Sequence, residues 1–202
     1  SRGFLLMERY DGISGTARPD LTNNVKFPSR PDVVTYRASA EIPVDAADNY
    51  GARLSGYLIP PETGNYTFWL SADDNAGLYL STDENPANRR QIALEPQWNN
   101  SRQWLVTSRR NATTPENKSA AIRLEAGRRY YVEALVKEGG GGDNLGFTWR
   151  LPSQTTDPAN GTPPISGAFL ATRANPVGAS VTILQQPESI TVPEGTPATV
   201  RV

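Results

Sequence analysis

The residues best suited to chemistry in this sequence are acidic, and two of them are adjacent: Asp73 and Asp74, in the segment SADDNAGLYLS, followed by Asn75 and Gly77. Paired carboxylates beside an amide suit a hard cation, since Ca²⁺ takes roughly six to eight oxygen ligands. Successive side chains on a strand point to opposite faces, so two neighbouring aspartates reach one ion only where the backbone between them is not extended. A cis Asp73–Asp74 peptide bond is therefore the expectation if they share an ion. The competing reading is an ordinary polar hairpin turn.

A second segment, VKEGGGGDNLGFTW, carries Gly139, Gly140, Gly141 and Gly142 ahead of Asp143 and Asn144. Glycines adopt backbone conformations closed to other residues, so such a loop can turn carbonyl oxygens towards an ion while Asp143 or Asn144 adds a side-chain oxygen. The alternative is a flexible loop without a ligand. A phosphate-binding loop fits less well, because a strand follows and the helix and lysine of a P-loop are missing.

Composition narrows the chemistry further. The 202 residues include neither histidine nor cysteine, which removes the common general base, the Ser-His and Cys-His nucleophile pairs, and imidazole or thiolate ligation of zinc. Oxygen is what remains for a metal. Formal net charge is -1 and the 20 Lys and Arg residues are scattered, so no phosphate-binding stripe forms and nucleic acid is not an expected partner. No run approaches the roughly 18 apolar residues of a membrane-spanning helix, and no membrane insertion is expected.

The elements that must position these residues read as strands. Tyr66, Phe68 and Leu70 alternate on one face of one run, and Tyr130, Val132, Ala134 and Val136 on one face of another. Further strand-like runs lie at 33–42, 53–59, 78–80, 91–94, 121–124, 145–151 and 167–172, separated by Gly, Pro, Asn and Asp clusters. No amphipathic helix of three turns is evident. The expected fold is all-β, an antiparallel β-sandwich of jelly-roll or barrel type with short loops and little helix.

The strings DNYGARLSGYLIPPETGNYTFWLSADDNAGLYLSTDENP and AGRRYYVEALVKEGGGGDNLGFTW resemble the protective-antigen (PA-fourteen) domain family, over about residues 4–151. That resemblance implies a β-sandwich in which a cis-linked aspartate pair and a second loop build a Ca²⁺ site. Carried onto this sequence, it implies metal ligation by Asp73, Asp74, Asp143 and Asn144 with Gly141 and Leu145. It further implies sugar binding through Asp73, Asp74, Gly142 and Asp143, a sugar diol completing the ion's coordination. Trp98 is a candidate stacking platform beside it, while core packing is the default for Trp98 and Trp104 alike.

The implied function is a lectin or adhesin module, not an enzyme, acting outside the cell or at its surface. Its partners would be glycans or polysaccharide on a cell surface or in the extracellular matrix, with the chain a monomeric module of a multidomain protein. The alternative is a calcium-stabilised structural or assembly module without sugar binding. The expected domain spans residues 1–175. Residues 176–202 read as a linker and the opening strands of an immunoglobulin-like module. Asp83, Glu84 and Asn85 read as a solvated turn, with a second calcium site as the alternative, and Asp45, Asp48 and Asn49 as loop caps, with a position near the ion as the alternative. Glycosylation sequons begin at Asn65, Asn99, Asn111, Asn117 and Asn160.

Overall fold

The computed structural model describes residues 1–173. Among these, the chain forms ten strands: β1 (Leu5–Asp11), β2 (Val33–Arg37), β3 (Tyr50–Leu58), β4 (Gly64–Asp73), β5 (Asn75–Leu80), β6 (Arg90–Glu95), β7 (Ile122–Leu124), β8 (Tyr130–Glu138), β9 (Asn144–Arg150) and β10 (Leu170–Ala171). One short helix, α1 (Arg18–Thr22), accompanies them. The larger sheet runs β2-β1-β3-β8-β5-β6, with β10 added to the end of β3; the smaller runs β7-β4-β9. All of these pairings are antiparallel.

The period-two pattern explains how the sheets meet. Tyr66, Phe68, Leu70 and Ala72 of β4, with Leu145, Phe147 and Trp149 of β9, pack against Leu54 and Leu58 of β3, Leu78 of β5 and Val132, Ala134 and Val136 of β8 in one core cluster. The Tyr66 and Trp149 rings lie 5.0 Å apart at a tilt of 47°. Burying each large apolar side chain contributes about 1.5–3 kcal/mol, so the inner faces of β4 and β9 hold the small sheet on the large one. The all-β sandwich expected from the alternation is the fold observed.

Several details differ from that reading. The first strand, LLMERYD, was not recognisable as one because Glu8 and Arg9 interrupt its apolar pattern; Glu8 is paired across the sheet with Arg53 at 2.6 Å. Helix α1 is too short for a periodic signal and is held by the burial of Leu21 against Tyr10 and Ile13. The loops are not uniformly short. Residues 96–121 form a long irregular connection, made compact by buried Asn99, Trp104, Arg110, Asn117 and Ser119. The run expected at 167–172 is a 3-10 turn, Gly167–Phe169, followed by the two-residue β10. The proposed boundary at residue 175 and the immunoglobulin-like segment lie outside the described residues.

Two crossings between the sheets position the site. The chain leaves the small sheet at Asp73, the end of β4, and enters the large sheet at Asn75, the start of β5. It returns from the large sheet at Glu138, the end of β8, to the small sheet at Asn144, the start of β9. Asp73 pairs with Asn144 and Asn75 with Lys137, so the two crossings lie side by side at one end of the sandwich.

Candidate functional site

The Asp73–Asp74 peptide bond is cis. One carboxylate oxygen from each of Asp73, Asp74 and Glu138 lies within 4.8 Å of the others. Glu138 continues the inward-facing register of β8 after Tyr130, Val132, Ala134 and Val136. It is fully buried, and neither of its carboxylate oxygens has a hydrogen-bond partner. Asp74 is anchored differently: its Oδ2 accepts the Gly139 N–H at 3.0 Å, which ties one crossing to the other.

The glycine loop is shaped by close approach. A Cβ on Gly139 would lie 2.7 Å from Thr16 Cγ2 and 3.4 Å from Asp74 Oδ2, and Gly141 has φ +111°. Residues 45–49 brace the loop from outside. The Asp45 N–H donates to the Asp143 carbonyl at 2.9 Å, the Asn49 N–H to the Gly139 carbonyl at 2.9 Å, and Asp48 Oδ1 accepts the Gly141 N–H at 3.0 Å. Asp45, Asp48 and Asn49 thus cap the loop, as their sequence position suggested.

The other anticipated residues fall in three settings. Asp143 lies outside the carboxylate trio; its Oδ2 accepts the Ala46 and Ala47 N–H groups at 2.7 and 3.0 Å. Its Oδ1 and the Tyr50 hydroxyl are both buried and have no hydrogen-bond partner. Asn144 donates through Nδ2 to the Asn99 carbonyl at 2.9 Å and keeps Oδ1 buried without a partner. The Leu145 carbonyl accepts the Ile42 N–H at 2.9 Å.

An open cavity of about 400 Å³ is lined by Asp73, Asp74, Trp98, Asn100, Gly140 and Gly142. Trp98 is half-exposed at its rim, whereas Trp104 is buried and donates Nε1–H to the Thr162 carbonyl at 3.0 Å. The structure therefore separates the two tryptophans: one faces the cavity and the other belongs to the packing of the 96–121 loop.

Crowded carboxylates dominate the electrostatics. Burial, then the Asp74 and Asp143 charges, push the Asp73 carboxyl up to about 6, with Arg109 opposing. Burial, then Asp74, Asp73 and Asp143, push Glu138 up to about 7. Burial pushes the Lys137 ammonium down; its Nζ donates to the Gly15 carbonyl at 2.6 Å and the Glu138 carbonyl at 2.5 Å. Three converging carboxylates, two unpartnered oxygens on one of them and an all-oxygen donor set fit a hard divalent cation.

Glu138 was missed from sequence although a signal existed, because extending the Tyr130, Val132, Ala134, Val136 alternation by two residues places a glutamate on the core face. Asn100 and Arg109 gave no comparable signal, since both lie in an irregular loop.

Residues 14–160 match the family described as the PA14 domain. Fibrocystin of Canis lupus familiaris is 38% identical over 89 residues, covering 42% of this chain and 2% of that protein. The chain thus spans a small fraction of that relative's length. Among solved structures, the PA14 domain of MpAFP antifreeze protein superposes with a TM-score of 0.56 at 14% identity, covering 85% of this chain and 91% of that domain. The Epithelial Adhesin 6 A domain from Candida glabrata, solved in complex with Galb1-3GlcNAc, gives a TM-score of 0.54 at 16% identity, covering 90% of this chain and 93% of that one. The β-sandwich, its two adjacent crossings and the match over most of its length identify this chain as a member of the PA14 domain family.

Proposed function

We propose that this chain is a calcium-dependent carbohydrate-binding module, non-catalytic, that attaches a larger protein outside the cell or at its surface to glycans. The observation that carries the reading is the buried Glu138 carboxylate, unpartnered at both oxygens, converging with Asp73 and Asp74, which border an open cavity. Unpaired buried carboxylates are costly and persist where a ligand completes them. The same fold in an adhesin domain solved with a bound disaccharide supports the sugar half of the reading.

In this reading Asp73, Asp74 and Glu138 hold the cation. Asp143 and the Gly141 carbonyl lie in the loop beside it, and Asn144 and Leu145 open β9 directly after that loop. Calcium bound there would supply coordination positions for a pair of sugar hydroxyls. Trp98 and Gly142 border the same cavity, with the indole offering an apolar surface to the C–H face of a sugar ring. A free monosaccharide buries little area, so affinity is expected in roughly the millimolar range, about 4 kcal/mol, with useful attachment arising from multiple copies.

The deciding experiment is a glycan screen in millimolar calcium, repeated with chelator. Glycan binding that disappears on chelation supports the proposal. Binding that survives chelation contradicts it, and calcium binding without any glycan ligand would make the chain a calcium-stabilised structural module instead.

A further inference from the structure

Trp98 is the one tryptophan of the four that is substantially exposed, at 43%, against 1% for Trp69 and Trp104 and 8% for Trp149. An exposed indole on an irregular loop ordinarily samples several rotamers, and ordering it on binding would cost affinity. Here the ring is already engaged. The Arg109 guanidinium carbon sits 3.3 Å from the centre of the Trp98 ring, and Arg109 Nε–H donates to the Trp98 carbonyl at 2.7 Å. The two residues therefore hold each other through both side chain and backbone.

What brings them together lies beneath. Trp98 and Arg109 each immediately precede a residue of one buried network. The Asn99 side-chain amide and the Arg110 guanidinium both donate to Glu95 Oε1, at 3.0 and 2.9 Å, and Arg110 further donates to the Gln103 and Val106 carbonyls. The Arg110 and Glu95 side chains are completely buried. Arg109 itself adopts φ +64°, an uncommon conformation for a residue with a side chain, reached at the turn where the Arg110 N–H donates to the Thr107 carbonyl. The network fixes the spacing of the two backbones, and the left-handed residue is where the chain turns to bring the guanidinium over the indole.

Arg109 makes no ion pair and no hydrogen bond through its terminal nitrogens among the described residues, so the stack and the Nε bond are what hold its side chain. It does not line the cavity, whereas Trp98 does. The guanidinium thus takes one face of the indole and leaves the cavity to the rest of the ring.

We propose that Arg109 is a positioning residue for glycan recognition: it fixes Trp98 as a preformed platform with a single face available to sugar. This rests on the carbohydrate-binding reading above and assigns a role that the metal ligands do not fill. Cation–π contact of this kind is strongest when the cation is desolvated and planar against the ring, so lysine is a poor substitute.

The test has one arm without ligand and one with. Acrylamide quenching of tryptophan fluorescence reads Trp98 almost alone, because the other three indoles are buried. Arg109→Ala is expected to raise the quenching constant about twofold, with Arg109→Lys in between. On a printed array of neutral and acidic oligosaccharides in calcium, Arg109→Ala should lower binding to the strongest glycan about tenfold, and should cause no further loss in a Trp98→Ala background. Calcium affinity should not weaken, since removing a positive charge near Asp73 acts in the ion's favour. Unchanged quenching, losses that add to those of Trp98→Ala, or weakened calcium binding would each overturn the proposal. If glycan binds the intact protein and Arg109→Ala binds it equally, this inference falls alone. If no glycan binds the intact protein, the lectin reading falls and takes this inference with it.

Discussion

The Asp74 carboxylate accepts the backbone N–H of Gly139 across 3.0 Å, joining the crossing that ends β4 to the crossing that ends β8. Through this contact the two segments singled out by their chemistry become one site, and any change in either should be felt by the other.

Calcium should stabilise the folded protein. A ligand that binds only the native state contributes RT ln(1 + [L]/Kd), about 2.7 kcal/mol at a hundredfold excess over Kd. For a domain of this size that corresponds to a rise in Tm of roughly 5–10 °C. Differential scanning calorimetry with calcium and with chelator should show the rise in the wild type and its loss in Asp73→Ala. Glu138→Gln should reduce calcium affinity about tenfold or more while raising the Tm of the metal-free protein, because a buried, unpaired charge has been removed. No calcium shift in the wild type would contradict a metal site at these residues.

The metal-free protein should show an inverted pH dependence. With Asp73 pushed up to about 6 and Glu138 up to about 7, both folded values exceed those of the unfolded chain, about 3.9 and 4.3. The folded state therefore binds protons more readily. The stability contributed by these two groups is complete below about pH 4 and is lost as pH rises through 6 and 7. In chelator, Tm should decline from pH 5 to pH 8 by more in the wild type than in Glu138→Gln. In calcium the decline should vanish, because the cation replaces the protons.

The Glu95–Arg110 pair underpins the long loop. Both side chains are fully buried, and breaking such a pair from one side costs about 3–5 kcal/mol, because the remaining charge is stranded. Arg110→Met should show that loss in denaturant unfolding, whereas Glu95→Met combined with Arg110→Met should lose less than either single change. Additive losses would show that the two residues do not act as a pair.

The five sequons should behave differently in a glycosylating host. Asn65, Asn111 and Asn160 are exposed. Asn99 and Asn117 are buried, with Nδ2 of Asn117 donating to the Leu70 and Trp104 carbonyls at 2.8 and 3.0 Å and that of Asn99 to Glu95. Mass spectrometry should find glycan on members of the first group and none on Asn99 or Asn117 of folded protein. Occupancy at Asn117 would contradict the packing of the 96–121 loop.

The sandwich was legible because its inner strands carry apolar residues at every second position: Tyr66, Phe68 and Leu70 in β4 and Tyr130, Val132, Ala134 and Val136 in β8 set both period and face. The aspartate pair and the glycine loop were legible from residue type. Less so was anything depending on which residues meet in space. Strand β1 hid behind Glu8 and Arg9, whose charges are satisfied by Arg53 and by Asp11. Glu138 was visible only as an acid at an inward position of β8. Arg109 could not be found, because its placement over Trp98 follows from a buried network formed by Glu95, Asn99 and Arg110, and no local pattern encodes that meeting.

In the proposed mechanism one cation, held by Asp73, Asp74 and Glu138, is shared with the sugar. Linkage makes this directly measurable: if sugar oxygens complete the ion's coordination, each ligand must tighten the other by the same factor. Isothermal titration of calcium should be run on the intact protein without sugar and again at saturating concentration of the strongest glycan from the screen. The expected result is a single calcium site whose affinity rises with sugar present, by the factor by which calcium raises sugar affinity. Calcium affinity that is identical with and without bound sugar would contradict it.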